Sequence, residues 1–222
     1  MTTTAGGTAP ASVRRGVRPF VKWAGGKSQL LADLEPVLPP TYQRYIEPFL
    51  GGGAVYFHVA PAQALLSDAN VELMETWRAV RDDVDALIAA LQDHLWDEAY
   101  YYALRAADPA QMTAVERASR FIYLNKTCYN GLYRVNRRGQ FNVPFGRYKT
   151  RPQIYDAENL RAASALLQRA DLWLADFEAT MAAAGPSDFI YLDPPYDPVS
   201  ATANFTGYSV QPSGDHRPLR LG

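Results

Sequence analysis

Cysteine is nearly missing from this chain. Cys128 stands alone among 222 residues, which excludes an internal disulfide framework and fits the reducing cytoplasm. Only three histidines occur, and no Cys/His motif accompanies the lone thiol, so neither a metal site nor a cysteine nucleophile is expected. No apolar run approaches the ~18 residues that a membrane span requires. Met1 to Val17 lacks the apolar block of a secretory signal and reads as a disordered tail. Lys22-Trp23-Ala24-Gly25-Gly26-Lys27-Ser28 looks like a phosphate loop but lacks its first glycine, since Val21 holds that position. That excludes an ATPase.

A net charge of −1 by itself argues against nucleic acid, but the charge is segregated. Asp68 to Glu116 carries eleven acids against Arg78, Arg81 and Arg105. Phe121 to Arg151 carries Lys126, Arg134, Arg137, Arg138, Arg147, Lys149 and Arg151 and no acid. Such a block is either a solvated face or a phosphate-binding footprint. Aromatics and Asn/Gly turns interleave it, which favours binding.

The apolar patterning predicts an α/β domain. Tyr45 to Phe49 reads as a strand, Ala54 to Val59 as a helix, and Ala64 to Asp68 as a second strand ending in an acid. This is the order of a nucleotide-binding βαβ unit. Helices are expected over Glu72 to Leu91, Asp97 to Ala106, Thr113 to Leu124 and Asp156 to Ala170, with a capping box at Thr113 and Glu116. Asn130-Gly131 and Arg138-Gly139 predict a hairpin of short aromatic strands. Leu172 to Asp176 and Phe189 to Asp193 read as two more buried strands.

Phe49-Leu50-Gly51-Gly52-Gly53 follows a strand and opens a helix, where glycines let backbone approach a ligand. Asp68 ends the next strand, where a carboxylate can accept ribose hydroxyls. Many α/β folds share that pair of features. Asp193-Pro194-Pro195-Tyr196 is more specific. Two prolines fix φ and donate no hydrogen bond, so they hold a rigid loop with outward carbonyls. A strand-end carboxylate and the Pro194 carbonyl together can accept both protons of an attacking amine, and Tyr196 offers a flat face to a base. Asp193, Pro194 and Tyr196 are therefore the candidate catalytic residues.

From about Arg18 to Tyr208 the chain resembles the Dam-like family of adenine-specific DNA methyltransferases. The resemblance rests on Lys22 to Lys27, Glu47 to Gly53, Leu66 to Asp68, Tyr123 to Arg134, Phe141 to Gly146, Asp193 to Tyr196 and Ser200 to Thr206. It implies a Rossmann-like S-adenosylmethionine-dependent sheet of order 3-2-1-4, split between residues 18–70 and 153–208, with a mainly helical recognition domain inserted at 71–152. It implies S-adenosylmethionine contacts at Trp23, Lys27, Asp68 and Asp193, with the loop holding Phe49, Gly51 and Gly53 beneath the methionine part. Asp176 and Phe177 fall where the family cradles the cofactor adenine. The partner implied is double-stranded DNA with its target base flipped out. Tyr129 and Asn130 then fill the vacated gap, while Lys22, Leu132, Arg134 and Pro144 match readers of GATC-type sites. Arg137, Arg138, Arg147 and Lys149 suit phosphates. A cognate restriction enzyme would be a further partner.

Residues 209–222 depart from the family pattern, and the expectation is a C-terminally truncated chain with an aberrant tail. Strand four then forms an exposed apolar sheet edge. Two rival readings stay open at this point. One is a remnant that binds DNA or cofactor weakly without turnover. The other is a methyltransferase of RNA or of a protein amide.

Overall fold

A computed structural model describes residues 16–194. Four parallel strands form one sheet of order β3-β2-β1-β4, as the sequence predicts. They are β1 (Tyr45–Glu47), β2 (Ala64–Asp68), β3 (Ala170–Leu174) and β4 (Phe189–Ile190). Ile46 pairs with Leu65 on one side and Ile190 on the other. β1 is buried throughout and β2 up to its terminal Asp68, which accounts for their continuous apolar runs. Residues 195–222, with Tyr196 and the unusual tail, lie outside the described residues, as do residues 1–15.

Three strands end sooner than expected. β1 stops at Glu47 because Pro48 has no N–H for the ladder, and β4 accordingly pairs over two residues. β3 runs from Ala170 to Leu174, not from Leu172 to Asp176. Asp176 is the N-cap of the next helix, its carboxylate accepting the Ala179 N–H at 2.8 Å.

The helices are α1 (Leu31–Leu34), α2 (Ala54–Val59), α3 (Val71–Asp82), α4 (Val84–Gln92), α5 (Glu98–Ala106), α6 (Ala114–Thr127), α7 (Ala157–Leu167) and α8 (Phe177–Ala182). The single helix expected over Glu72 to Leu91 is two, broken at Asp83 with φ −134° and ψ 37°. Asp97 caps α5 and Asp156 caps α7. The Thr113/Glu116 capping box forms, and α6 continues three residues beyond Leu124. The expected hairpin is reduced to two isolated antiparallel bridges, Cys128 with Phe145 and Val135 with Phe141.

One apolar core runs through the sheet and the inserted helices. α3 packs on β2, β3 and α7 and also on α6. Its Trp77 is fully buried and donates its indole N–H to the Gly51 carbonyl at 3.2 Å. Gly51 and Gly53 both have left-handed φ, +49° and +65°. A Cβ on Gly51 would lie 2.5 Å from the Trp23 ring, and one on Gly53 would lie 2.5 Å from the Trp77 ring. The missing side chains therefore make room for two tryptophans, a packing reason distinct from ligand approach.

The C-terminal ends of β2, β1 and β4 carry Asp68, Glu47 and Asp193 in adjacent positions. Glu47 is buried and accepts the Tyr45 hydroxyl at 2.7 Å. Burial pushes its carboxyl up to about 8; the Asp193 and Asp68 charges add to this, while the Tyr45 hydroxyl and the Tyr56 N–H oppose it.

Two outcomes are expected. Gly53→Ala should lower stability by about 2–4 kcal/mol, from left-handed strain plus overpacking against Trp77. A urea midpoint equal to the parent's would show that Trp77 does not claim that space. For Glu47, the folded carboxyl holds a proton that the unfolded chain releases near its ordinary value of 4.5. Its contribution to stability is therefore complete below that value, falls as pH rises to about 8, and is flat above. Glu47→Gln should remove this slope, so the variant's advantage in unfolding free energy widens between pH 5 and pH 8, by on the order of a few kcal/mol. Parallel profiles would refute the assignment.

Candidate active site and nucleic-acid interface

In an open parallel sheet, ligands bind beyond the carboxyl ends of the strands where the strand order reverses. Here that point lies between β1 and β4. Asp68 ends β2 with both oxygens engaged. Oδ2 accepts the Gly51 N–H at 3.0 Å and Oδ1 accepts the Asn70 N–H at 2.9 Å. Burial raises its carboxyl, and backbone N–H groups of Asn70, Gly51 and Ala69 counter that. A carboxylate has about four acceptor sites, so it can still take hydroxyls.

Asp193 lies just past β4 and is paired with Lys27 through Oδ2. Lys27 also donates to the Gly25 carbonyl at 2.7 Å, across a turn that Gly25 closes with φ +78°. The Trp23 ring lies over Gly51 and stacks on Tyr133, with centroids 5.5 Å apart. Phe49, which leads into the glycine loop, stacks on Phe177 of α8 at 5.7 Å, and Phe177 is 46% exposed. The fold thus brings together Trp23, Lys27, Gly51, Asp68 and Asp193, with Phe49 and Phe177 beside them. Asp176 stands next to that pair, already engaged as a helix cap.

Sequence reasoning singles out no role for Glu47, although it sits between the two strand-end aspartates. The signal is present: an acid closing an otherwise apolar strand. Tyr133 is also passed over; its hydroxyl donates to Glu72 at 2.7 Å and its ring backs Trp23. Cys128 is buried, and burial pushes its thiol up to about 12, which marks it as structural.

The basic block faces outward. Tyr129 is 53% exposed at the tip of a turn in which Asn130 has φ +55° and Gly131 has φ +65°. The Tyr129 N–H donates to the Pro144 carbonyl at 2.9 Å, joining the turn to a second loop. Arg134 is exposed but oriented: its Nε donates to Asn142 Oδ1 at 2.7 Å. Leu132 is half-buried against the core. Arg137, Arg138, Arg147 and Lys149 are exposed, and among the described residues none forms an ion pair. Lys22 is exposed and reaches Tyr148, donating to its hydroxyl at 3.2 Å. Half-buried Lys126 is pushed down to about 8, by burial first and then by Lys22 and Arg18. Pro194 is exposed beside Asp193, while Tyr196 lies outside the described residues.

Among the described residues no group of histidine, cysteine and acidic side chains is arranged to hold a metal. None of their helices is long and apolar enough to cross a membrane.

Comparison with known proteins agrees with this geometry. The family model for D12 class N6 adenine-specific DNA methyltransferases matches residues 23–221. A Methanocaldococcus jannaschii protein named type II methyltransferase M.MjaIII is 41% identical, covering 92% of this chain and 78% of that protein. A Lactococcus lactis subsp. cremoris protein named type II methyltransferase M1.LlaDCHI is 42% identical, over 87% of this chain and 70% of its own. The Escherichia coli K12 protein named DNA adenine methylase is 39% identical, over 86% and 69% respectively. With the expected strand order, the paired Lys27 and Asp193 and a match across most of its length, the chain belongs to the D12 class of N6 adenine-specific DNA methyltransferases.

Proposed function

We propose that this chain transfers the methyl group of S-adenosylmethionine directly to the exocyclic amine of an adenine flipped out of duplex DNA, at GATC-type sites. The single observation that carries this is the Lys27–Asp193 pair at the carboxyl end of β4, next to Asp68 and the glycine loop.

The residues fit the cofactor by their chemistry. Lys27 and Asp193 offer opposite charges to a zwitterionic methionine end. Asp68 retains acceptor capacity for ribose hydroxyls. The stacked Phe49 and Phe177 offer an apolar face of the kind an adenine ring packs on. Trp23, held over Gly51, closes the floor. When bound, S-adenosylmethionine supplies an electrophilic sulfonium methyl group.

The protein's part is to present the amine. With Oδ2 engaged by Lys27, Asp193 would accept one amine proton through Oδ1, and the Pro194 carbonyl the other. That arrangement aims the amine lone pair at the methyl carbon. No metal and no covalent enzyme intermediate is needed. Tyr196 would stack on the flipped base, a role that rests on its place in the Asp-Pro-Pro-Tyr motif.

The target amine is unreachable inside a stacked duplex. Exposed Tyr129 and the left-handed Asn130 have the character of a wedge that fills the space a flipped base leaves. Residues 71–152 act as the recognition domain in this reading. Lys22, Leu132, Arg134 and Pro144 read bases, and Arg137, Arg138, Arg147 and Lys149 hold phosphates. The type II names of two relatives support a cognate restriction enzyme as partner. A DNA substrate is consistent with a cytoplasmic protein.

Methyl incorporation into duplexes with and without GATC, and into RNA, tests the substrate. Asp193→Ala should cut turnover well beyond tenfold while DNA binding persists; a loss within about tenfold, ~1.4 kcal/mol of barrier, would remove Asp193 from the chemistry. Arg134→Ala should cost ~1–3 kcal/mol of discrimination at one base position. Equal loss on cognate and non-cognate DNA would move Arg134 to the phosphate contacts.

A further inference from the structure

Asn125 lies in the last turn of α6 and is 1% exposed. Its side-chain amide makes three hydrogen bonds. Oδ1 accepts the Lys22 N–H at 2.7 Å, and Nδ2 donates to the Lys22 carbonyl at 2.8 Å and to the Gly131 carbonyl at 3.2 Å. Both backbone groups of Lys22 are thus met by one side chain, as a neighbouring strand would meet them. The same amide holds the end of the Tyr129-Asn130-Gly131 turn.

The two segments it joins also touch directly. A Cβ on Gly131 would lie 2.2 Å from Lys22 Cδ, so the lysine stem packs flat on that glycine. Lys22 Nζ sits 4.9 Å from the centre of the Tyr148 ring and donates to its hydroxyl. That hydroxyl donates onward to the Cys128 carbonyl at 2.7 Å, one residue before Tyr129. Lys22 comes from the catalytic part of the chain, and the turn comes from the insertion.

We propose that Asn125 is a positioning residue that fixes the Lys22 ammonium and the Tyr129–Gly131 turn as one rigid unit. Base reading by Lys22 and wedge insertion by Tyr129 then occur in a single fixed register. The inference rests on reading Lys22 and Tyr129 as DNA contacts. Asn125 itself is buried and touches no DNA. Its chemistry matches what the junction requires. An amide offers one acceptor and two donors, which meet one N–H and two carbonyls. A carboxylate of the same shape would face both carbonyls with a second acceptor.

The test uses the full chain and duplexes that differ only at the first base of the site, with 2-aminopurine at the target position to report extrusion. Asn125→Asp should reduce first-base discrimination to the level of Lys22→Ala, a loss of about tenfold, and should weaken the 2-aminopurine rise. The Asn125→Asp/Lys22→Ala double variant should discriminate no worse than Lys22→Ala alone. Affinity for S-adenosylmethionine, measured by calorimetry, should stay within about twofold, well under 1.4 kcal/mol. If Asn125→Asp does not fold, Gly131→Ala disturbs the same contact from the turn side and carries the same expectations. A uniform loss on every duplex, or losses that multiply in the double variant, would overturn the proposal. If Lys22→Ala leaves discrimination intact, the base-reading role of Lys22 fails and takes the inference with it. If Lys22→Ala shifts discrimination and Asn125→Asp does not, the role survives and only the inference falls.

Discussion

The 3.0 Å hydrogen bond from the Gly51 N–H to Asp68 ties the loop after β1 to the end of β2. The site depends on it through a closed chain of contacts. The other Asp68 oxygen accepts from Asn70, and Asn70 caps α3 by accepting from Leu73. That cap sets the start of α3, and two turns later Trp77 returns a hydrogen bond to the Gly51 carbonyl. Both polar atoms of the Gly51 backbone are thereby fixed, one by Asp68 at the end of β2 and the other by Trp77 in α3. The two left-handed glycines leave space on either side, which Trp23 and Trp77 occupy. Loop, helix and tryptophans cannot be repositioned one at a time.

Three carboxyl groups crowd the ends of adjacent strands, and each is handled by different chemistry. Glu47 is buried and keeps its proton well past the ordinary carboxyl range. Asp68 is surrounded by backbone N–H donors. Asp193 has Lys27. The charges of Asp193 and Asp68 each raise the Glu47 carboxyl, so the three groups repel when all are ionised. A protonated Glu47 adds no third negative charge beside Asp68 and Asp193. The neutral carboxyl is thus part of the site's electrostatics although it faces the interior.

Local signals are legible in the sequence and tertiary ones are not. The strand Ala64 to Asp68, the helix Ala54 to Val59 and the Thr113/Glu116 capping box are readable because each is set by nearby residues. The strand order follows from the resemblance. The break at Asp83 escapes sequence reading because the apolar period runs through it; both α3 and α4 pack on α6 and α7, and α3 alone also packs on β2 and β3. The register of β3 is misread because an aspartate after an apolar run ends a strand or caps a helix equally well; here Asp176 caps. Glu47 and Asn125 fall within recognisable motifs, but nothing local shows that either side chain is buried. Burial of Asn125 depends on a segment 103 residues away.

Charge segregation also resolves once the fold is known. Part of the acid-rich stretch is paired within the fold. Glu72 pairs with Arg120, Glu75 with Arg117 and Asp85 with Arg161. Among the described residues, no cation between Lys126 and Arg151 is in an ion pair. A net charge of −1 therefore conceals a cationic surface at Arg137, Arg138, Arg147 and Lys149. Such cations release counterions when they meet phosphates, which gives affinity without sequence information. Arg134 differs from its neighbours in one respect. Asn142 already holds its guanidinium through Nε, so in the proposed role less freedom would be lost on meeting a base edge. The basic block thus holds exposed cations at Arg137, Arg138, Arg147 and Lys149, and one exposed arginine, Arg134, whose guanidinium is already oriented.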